Sequence, residues 1–183
     1  MLLLLSSLAL ASTWDNVSTD IHARGRVTAS PEAVTTLVSD LARMKALVPT
    51  DCVGRWEAGM RTAGEGATSE VRYDIGLMHR TLPLVVSKVV PGRYVDWDHP
   101  GKKGFVTRWT LTPDGDGTFL DMTSYFAGPG WPLRRYYHGV MKPEWEGCQA
   151  RMLAAIAASF GSVPAPTPTE AVQEPDRTVP PAP

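Results

Sequence analysis

The sequence predicts an α+β domain in which a curved antiparallel sheet wraps around one long helix. Two observations predict this fold class. Between residues 131 and 160, apolar side chains recur at steps of three or four, which places them along one side of a helix. Between residues 53 and 126, tight-turn signals separate segments of strand length. The apolar side of the helix must be buried against another element, and a sheet made of these strands can bury it.

The remaining elements precede the sheet. A first strand is predicted over residues 17–29. Ser30 followed by Pro31 marks a helix start, because Ser is a good N-cap and Pro fits the first helical position. Asp40 caps a second short helix, over residues 41–48, that Pro49 ends. The six later strands, which bring the sheet to seven, are predicted at residues 52–58, 69–75, 80–90, 94–99, 103–112 and 118–126.

The long helix contains Pro143, which cannot donate a hydrogen bond to the carbonyl of Gly139. Such a proline either kinks the helix or marks the start of its straight part. We therefore expect the first two turns to shift relative to the rest. Residues 161–183 are rich in Pro, Thr, Ala and Glu, which predicts a disordered tail and leaves residues 16–160 as the domain.

Composition excludes several partners. Lys and Arg number 18 against 19 Asp and Glu, so no basic field attracts nucleic acid, and no motif predicts a metal or a cofactor. Cys52 and Cys148 lack the spacing of a metal or redox site. We interpret both as small buried hydrophobic residues, with a single disulfide as the alternative.

The first 15 residues form an apolar N-terminal segment. Residues 1–11 are too few to span a bilayer, and the sequence Ala9-Leu10-Ala11 fits a signal-peptidase site. The positive charge that usually precedes a signal core is missing, so an uncleaved extension or a misassigned start codon stays open. Cleavage would place the protein outside the cytoplasm, and retention would place it inside.

Several short motifs occur in an order known from one superfamily. They are Ala29-Ser30-Pro31-Glu32-Ala33-Val34 with Asp40, Val90-Pro91-Gly92-Arg93, and Arg108-Trp109-Thr110-Leu111-Thr112-Pro113 with Gly117-Thr118. With the order of elements, they resemble the helix-grip fold of the START/Bet v 1-like (SRPBCC) superfamily, in particular its polyketide cyclase/dehydrase and lipid-transport type. The resemblance covers about residues 17–160, and these motif positions are turns, caps and core residues without a catalytic role.

The resemblance implies a ligand cavity between the concave face of the sheet and the long helix, with its mouth near the two short helices. Large or adaptable side chains suit such a lining. The candidates are Tyr73, Trp97, Phe105, Trp109, Met122, Tyr125, Met141, Trp145 and Met152. The alternative is that these residues simply fill the core, because periodicity does not separate a packed core from a hollow one.

Catalytic signatures of common hydrolases, metalloenzymes and nucleotide-binding proteins are absent from the sequence. His79, His99 and His138 are single histidines able to act as acid or base near neutral pH, although a surface or core role is the simpler interpretation. Asp121 and Tyr125 are expected on a strand facing the helix, where they would polarise a carbonyl group. A solvated position is the alternative for Asp121.

A gate or membrane contact is predicted at the start of the long helix. Trp131, Arg134, Arg135 and Tyr137 combine apolar anchors with positive charge, as membrane-interface contacts do. The alternative is that the aromatic rings pack beneath the helix and the arginines are merely solvated.

These observations favour a binding or transfer protein for a small hydrophobic molecule such as a lipid, an isoprenoid quinone or a polyketide. The second interpretation is a cyclase or dehydratase that uses a cavity-facing His, Tyr or Asp as acid and base. A protein-interaction module with a filled core is the third.

Overall fold

The computed structural model describes residues 19–76, 78–101, 105–126 and 136–161. The predicted N-terminal segment and Pro-rich tail lie outside these residues. In chain order, the elements are strand β1 (Thr19–Val27), helices α1 (Pro31–Val38) and α2 (Leu41–Lys45), strands β2 (Val53–Ala58), β3 (Thr68–Ile75), β4 (Met78–Val90), β5 (Tyr94–Asp98), β6 (Val106–Asp114) and β7 (Gly117–Phe126), a π-helical turn (Tyr137–Met141) and helix α3 (Lys142–Ser159).

The seven strands form one curved antiparallel sheet in the order β1-β7-β6-β5-β4-β3-β2. Strands β2 to β7 are a meander of consecutive hairpins, and β1 pairs with β7 in a register that joins Thr19 to Phe126. The predicted fold class is confirmed, and each strand limit lies within about three residues of its predicted position, the largest difference being the start of β6 at Val106.

The predicted caps are also confirmed. The Ser30 hydroxyl accepts a hydrogen bond from the Ala33 amide at 3.3 Å. The Asp40 carboxylate accepts from the amides of Ala42 and Arg43, both at 3.1 Å. Helix α2 ends at Lys45, three residues before its predicted end, because the next amides bond three residues back and tighten the turn.

Helix α3 lies across β1. Gly25 of β1 lies beneath Leu153 of the helix, since a Cβ atom added to Gly25 would make an ordinary van der Waals contact of 3.5 Å with Cβ of Leu153. Pro143 is the second residue of α3 and lies directly after the π-helical turn, where the hydrogen-bond spacing of the helix changes. The proline therefore marks the start of the straight part of the helix, and the turn before it widens to π-helical geometry.

Cys52 and Cys148 form a disulfide with their Cα atoms 5.8 Å apart. The interpretation of the two cysteines as unpaired hydrophobic residues is wrong. Ninety-six positions separate them in sequence, and only the packing of α3 beside the start of β2 brings them together. The disulfide ties the first half of α3 to the sheet.

Candidate ligand-binding site

Alternate side chains of each strand face α3 and make up the inner face of the sheet. Strand β7 shows the alternation, since its buried side chains belong to even-numbered positions and the odd-numbered ones are partly exposed. The buried side chains are those of Thr118, Leu120, Met122 and Ser124. The inner face therefore holds every second residue of β7 and their partners on β1 and β6.

An aromatic cluster joins the inner face of the sheet to α3. Its members are Tyr73, His99, Phe105 and Trp145. Tyr73 comes from β3, His99 follows β5, Phe105 precedes β6 and Trp145 belongs to α3. The ring of Trp145 lies 5.9 Å from that of Tyr73 and 5.4 Å from that of Phe105. The imidazole of His99 stacks on Phe105 with ring centroids 4.0 Å apart. The cluster thus joins the sheet to the helix.

The aromatic cluster contains one internal hydrogen bond between polar side chains. Nδ1 of His99 lies 2.9 Å from the carbonyl oxygen of Pro83. A carbonyl only accepts, so Nδ1 carries the hydrogen, and Nε2 of the neutral ring is an acceptor. The Tyr73 hydroxyl, 3.2 Å from Nε2, is therefore the donor. The tautomer of His99 is fixed by the backbone of a neighbouring strand.

Burial keeps this pair uncharged. His99 is only 2% exposed, and burial lowers the pKa of its imidazole to about 4 despite the opposing effect of the Pro83 carbonyl. Burial likewise raises the pKa of the Tyr73 hydroxyl far above its usual range. At neutral pH both side chains are therefore uncharged, and the Tyr73 oxygen can still accept a hydrogen bond inside an apolar wall.

A second polar group lies one helical turn further along α3. Gln149, 1% exposed, donates from Nε2 to the hydroxyl of Ser124 at 2.8 Å. That hydroxyl lies 2.7 Å from the hydroxyl of Thr107 on β6. The three side chains form a buried polar group between sheet and helix.

Beyond the polar group, tryptophans fill the inner face. Trp97 donates from Nε1 to the carbonyl of Val38 in α1 at 3.1 Å. Its ring lies 4.9 Å from that of Trp109. Met122 pairs with Trp109 across β6 and β7, and Met152 of α3 is buried in the same core. This end of the inner face is closed by α1.

The outer face carries Tyr125, since its neighbour Ser124 points inward. It shares that face with Arg108, whose pKa is raised chiefly by its bidentate hydrogen bonds to Asp96 and slightly by Tyr125. Asp121 also lies outside, 3.3 Å from Arg24. The expectation that Tyr125 and Asp121 face the helix is corrected by this placement.

The other histidines lie at the surface. Nδ1 of His79 is 2.8 Å from Asp74, whose pKa is lowered by His79 and then by Arg72. The ring of His138, which is exposed, lies 5.1 Å from that of Tyr137. Of the three histidines considered from the sequence, only His99 lies in the aromatic cluster.

The predicted gate falls partly on the described residues. Trp131, Arg134 and Arg135 lie outside them. Tyr137 is buried, 1% exposed, in the π-helical turn. Met141 ends that turn and lies close to Gly76 of the β3–β4 turn. Membrane contact at this end of the molecule stays a prediction.

Two further properties concern metals and membranes. Among the described residues, no three His, Cys, Asp or Glu side chains lie close enough together to hold a metal ion. None of the helices in the described ranges is long and apolar enough to cross a bilayer.

A seven-stranded antiparallel sheet closed on a long C-terminal helix defines the helix-grip class of the START/Bet v 1-like (SRPBCC) superfamily. The chain belongs to the family described as "Polyketide cyclase / dehydrase and lipid transport", whose profile matches residues 18–161. No curated protein matches the sequence.

Solved structures share the fold at low sequence identity. The KanY protein has a TM-score of 0.68 at 16% identity, with 79% of this chain and 98% of that chain covered. The Zhui aromatase/cyclase from Streptomyces sp. R1128 has a TM-score of 0.60 at 15% identity, covering 78% of this chain and 93% of that one. Major latex-like protein 151 from Panax ginseng has a TM-score of 0.59 at 9% identity, with 79% and 98% covered. At such identities the likeness concerns the fold.

Proposed function

We propose that the protein binds a small hydrophobic molecule between the inner face of the sheet and α3. The observation that carries the proposal is the neutral hydrogen-bonded pair of Tyr73 and His99 within the aromatic cluster. Apolar walls with a few well-placed polar groups are typical of small-molecule sites. Family membership supports the same function. Among lipids, isoprenoid quinones and polyketides, the ring-lined wall favours ligands that themselves contain rings.

The first test uses the neutral apolar dye N-phenyl-1-naphthylamine and protein labelled with 3-fluorotyrosine. Binding should shift the fluorine signal of Tyr73, which lines the proposed site. The signal of Tyr125 on the outer face should stay in place and serves as the matched control. Tyr73→Phe and Tyr125→Phe variants assign the two signals. Absence of dye binding, or a shift confined to Tyr125, would contradict the proposal.

Native mass spectrometry of the purified protein gives an independent measurement. A carrier of hydrophobic molecules should retain an apolar ligand through purification, and the added mass would report its class. Extraction with organic solvent should return the mass calculated from the sequence. A protein that is always free of ligand and binds no apolar dye would instead support an interaction module.

Acid–base catalysis is the second candidate, and the fixed tautomer of His99 is the observation that favours it. Because Nδ1 donates to Pro83, Nε2 is the basic atom of the ring, and the Tyr73 hydroxyl that donates to it belongs to a ring 5.9 Å from that of Trp145. A proton taken from a ligand by way of the Tyr73 oxygen would be balanced by transfer of the hydroxyl hydrogen to Nε2. Because burial lowers the pKa of His99, the imidazolium would be short-lived and would return its proton within the same reaction. Such a relay suits the proton transfers of a cyclase or dehydratase.

Exchange of the α-hydrogens of 2-tetralone in heavy water tests this chemistry without knowledge of the natural substrate. The wild-type protein should accelerate exchange, and both His99→Gln and Tyr73→Phe should remove the acceleration. Tyr125→Phe should keep it. Dye binding without any accelerated exchange would leave the binding function and exclude this second one.

The disulfide bears on the compartment. Disulfides persist in oxidising compartments and are rare in the cytosol, so the bond between Cys52 and Cys148 supports export of the protein. It agrees with removal of residues 1–11 as a signal. The intact mass of the protein from its natural source should show loss of that segment and of two hydrogens. A full-length, reduced chain would contradict export.

A further inference from the structure

Two buried polar atoms on the inner side of the sheet and helix have no hydrogen-bond partner among the described residues. One is Nε1 of Trp109, an N–H donor in a side chain that is 0% exposed. The other is Oε1 of Gln149, a carbonyl acceptor in a side chain that is 1% exposed. Proteins pair nearly all such buried atoms, with water or ligands where protein groups are lacking. Each atom therefore marks a place where a further molecule is needed.

The two atoms lie at neighbouring inward-facing pairs of residues across β6 and β7, which we call the first and the second level. Thr107 pairs with Ser124, and Trp109 pairs with Met122 across β6 and β7. Alternate positions on a strand are roughly 7 Å apart. Gln149 reaches the first level through its bond to Ser124, and Trp109 belongs to the second. A molecule that contacted both levels would therefore extend over roughly 7 Å between sheet and helix.

The missing partners define the ligand's chemistry. Trp109 can only donate, so it needs an oxygen acceptor, while Oε1 of Gln149 can only accept and needs an O–H or N–H donor. A hydroxyl group supplies both. A carboxylate would face the carbonyl oxygen of Gln149 without a hydrogen to give. The nearest charged side chains on β6 and β7, Arg108 and Asp121, lie on the outer face.

We propose that the site takes an uncharged, ring-containing ligand that bears hydroxyl groups, with a hydroxyl hydrogen donated to Oε1 of Gln149 and a ligand oxygen accepting from Nε1 of Trp109. The inference rests on the proposed binding function and narrows its ligand class. It does not use the Tyr73–His99 pair, which belongs to the neighbouring aromatic cluster about one helical turn away along α3.

Naphthalene-2,6-diol and 2,6-dimethylnaphthalene are matched probes, because they share one shape and differ in their hydroxyl groups. They also differ in hydrophobicity, so the informative quantity is the change in their affinity ratio between variants. In Gln149→Leu, the diol should lose about tenfold in affinity relative to the dimethyl probe, which corresponds to one or two hydrogen bonds. Trp109→Phe should act in the same direction. Thr110→Val, next to Trp109 but on the exposed outer face, is the control and should leave the ratio unchanged.

The possible outcomes separate the two proposals. Binding of the dimethyl probe with an unchanged ratio in both variants would overturn the hydroxyl inference and leave the binding function standing. Failure of both probes to bind the wild-type protein would overturn both. Circular dichroism reports whether each variant folds. If only one variant folds, an unchanged ratio in that variant overturns the inference.

The wild-type protein provides a measurement that needs no variant. The indole N–H signal of Trp109 in a nitrogen–proton NMR spectrum should shift when the diol binds, and should shift less with the dimethyl probe. A diol that binds without moving this signal means that the buried N–H is satisfied by water or left unpaired. That result would overturn the inference.

Discussion

Replacing His99 by glutamine should make the protein less sensitive to mild acid. Folding lowers the pKa of His99 to about 4 from its ordinary value of 6.5, mainly through burial. At a pH above 6.5, the ring is neutral in both the folded and the unfolded states, so it adds no pH dependence to the stability. At a pH between about 4 and 6.5, the unfolded chain takes up a proton that the native protein does not bind. The free energy of unfolding therefore falls as the pH falls.

The size of the effect follows from the two pKa values. Each pH unit between them is worth about 1.4 kcal/mol, so His99 accounts for a loss of about 2 kcal/mol between pH 7 and pH 5. The loss levels off at about 3 kcal/mol once the pH is below the pKa of the folded state. Glutamine retains a donor for the Pro83 carbonyl and an acceptor for the Tyr73 hydroxyl, but it does not titrate.

Urea denaturation at pH 7 and pH 5 provides the assay. The wild-type protein should lose about 2 kcal/mol more on acidification than His99→Gln, whatever the other groups contribute, because those groups are common to both. His138→Gln, at the surface, controls for replacement of a histidine as such. Equal acid sensitivity of the wild type and His99→Gln would refute the burial argument for this imidazole.

Two further predictions concern stability. Replacing both Cys52 and Cys148 by alanine should lower the free energy of unfolding by up to about 4.7 kcal/mol, because the disulfide closes a loop of 96 positions and restricts the unfolded chain. Urea denaturation measures this loss, and a loss below about 1 kcal/mol would contradict the loop-closure reasoning. Asp96→Asn should cost about 1–3 kcal/mol, since Asp96 is 7% exposed and accepts two hydrogen bonds of 2.7 Å from Arg108. Asp114→Asn removes the partner of the exposed Arg26 and should lower the free energy of unfolding much less. Equal losses in the two variants would show that burial does not strengthen the bond between Asp96 and Arg108.

The fold was largely predictable because its signals are local. Ser30 and Asp40 cap helices through their own neighbours, and turn residues separate the strands of a meander whose partners are adjacent in sequence. Pro143 likewise indicated either a kink or the start of the straight part of the helix, and the structure has the second. Consistent local signals of this kind specify elements and their order.

The candidate site was only partly predictable because it depends on distant contacts. His99 follows a strand and precedes Pro100, which suggests an exposed turn, yet the Pro83 carbonyl and the Tyr73 hydroxyl from other strands enclose it. The disulfide is equally non-local. One signal was available, however, since Met122 and Tyr125 are three positions apart on one strand and therefore face opposite sides.

The strand order also determines the order in which strands can pair while the chain is synthesised. Hairpins from β2 to β7 can form as they emerge, since each strand pairs with the one just made. Strand β1 is made first but waits for β7, and α3 follows later still. Contacts between distant segments form slowly. Most of the domain, through β7, must therefore leave the ribosome before the sheet can be completed.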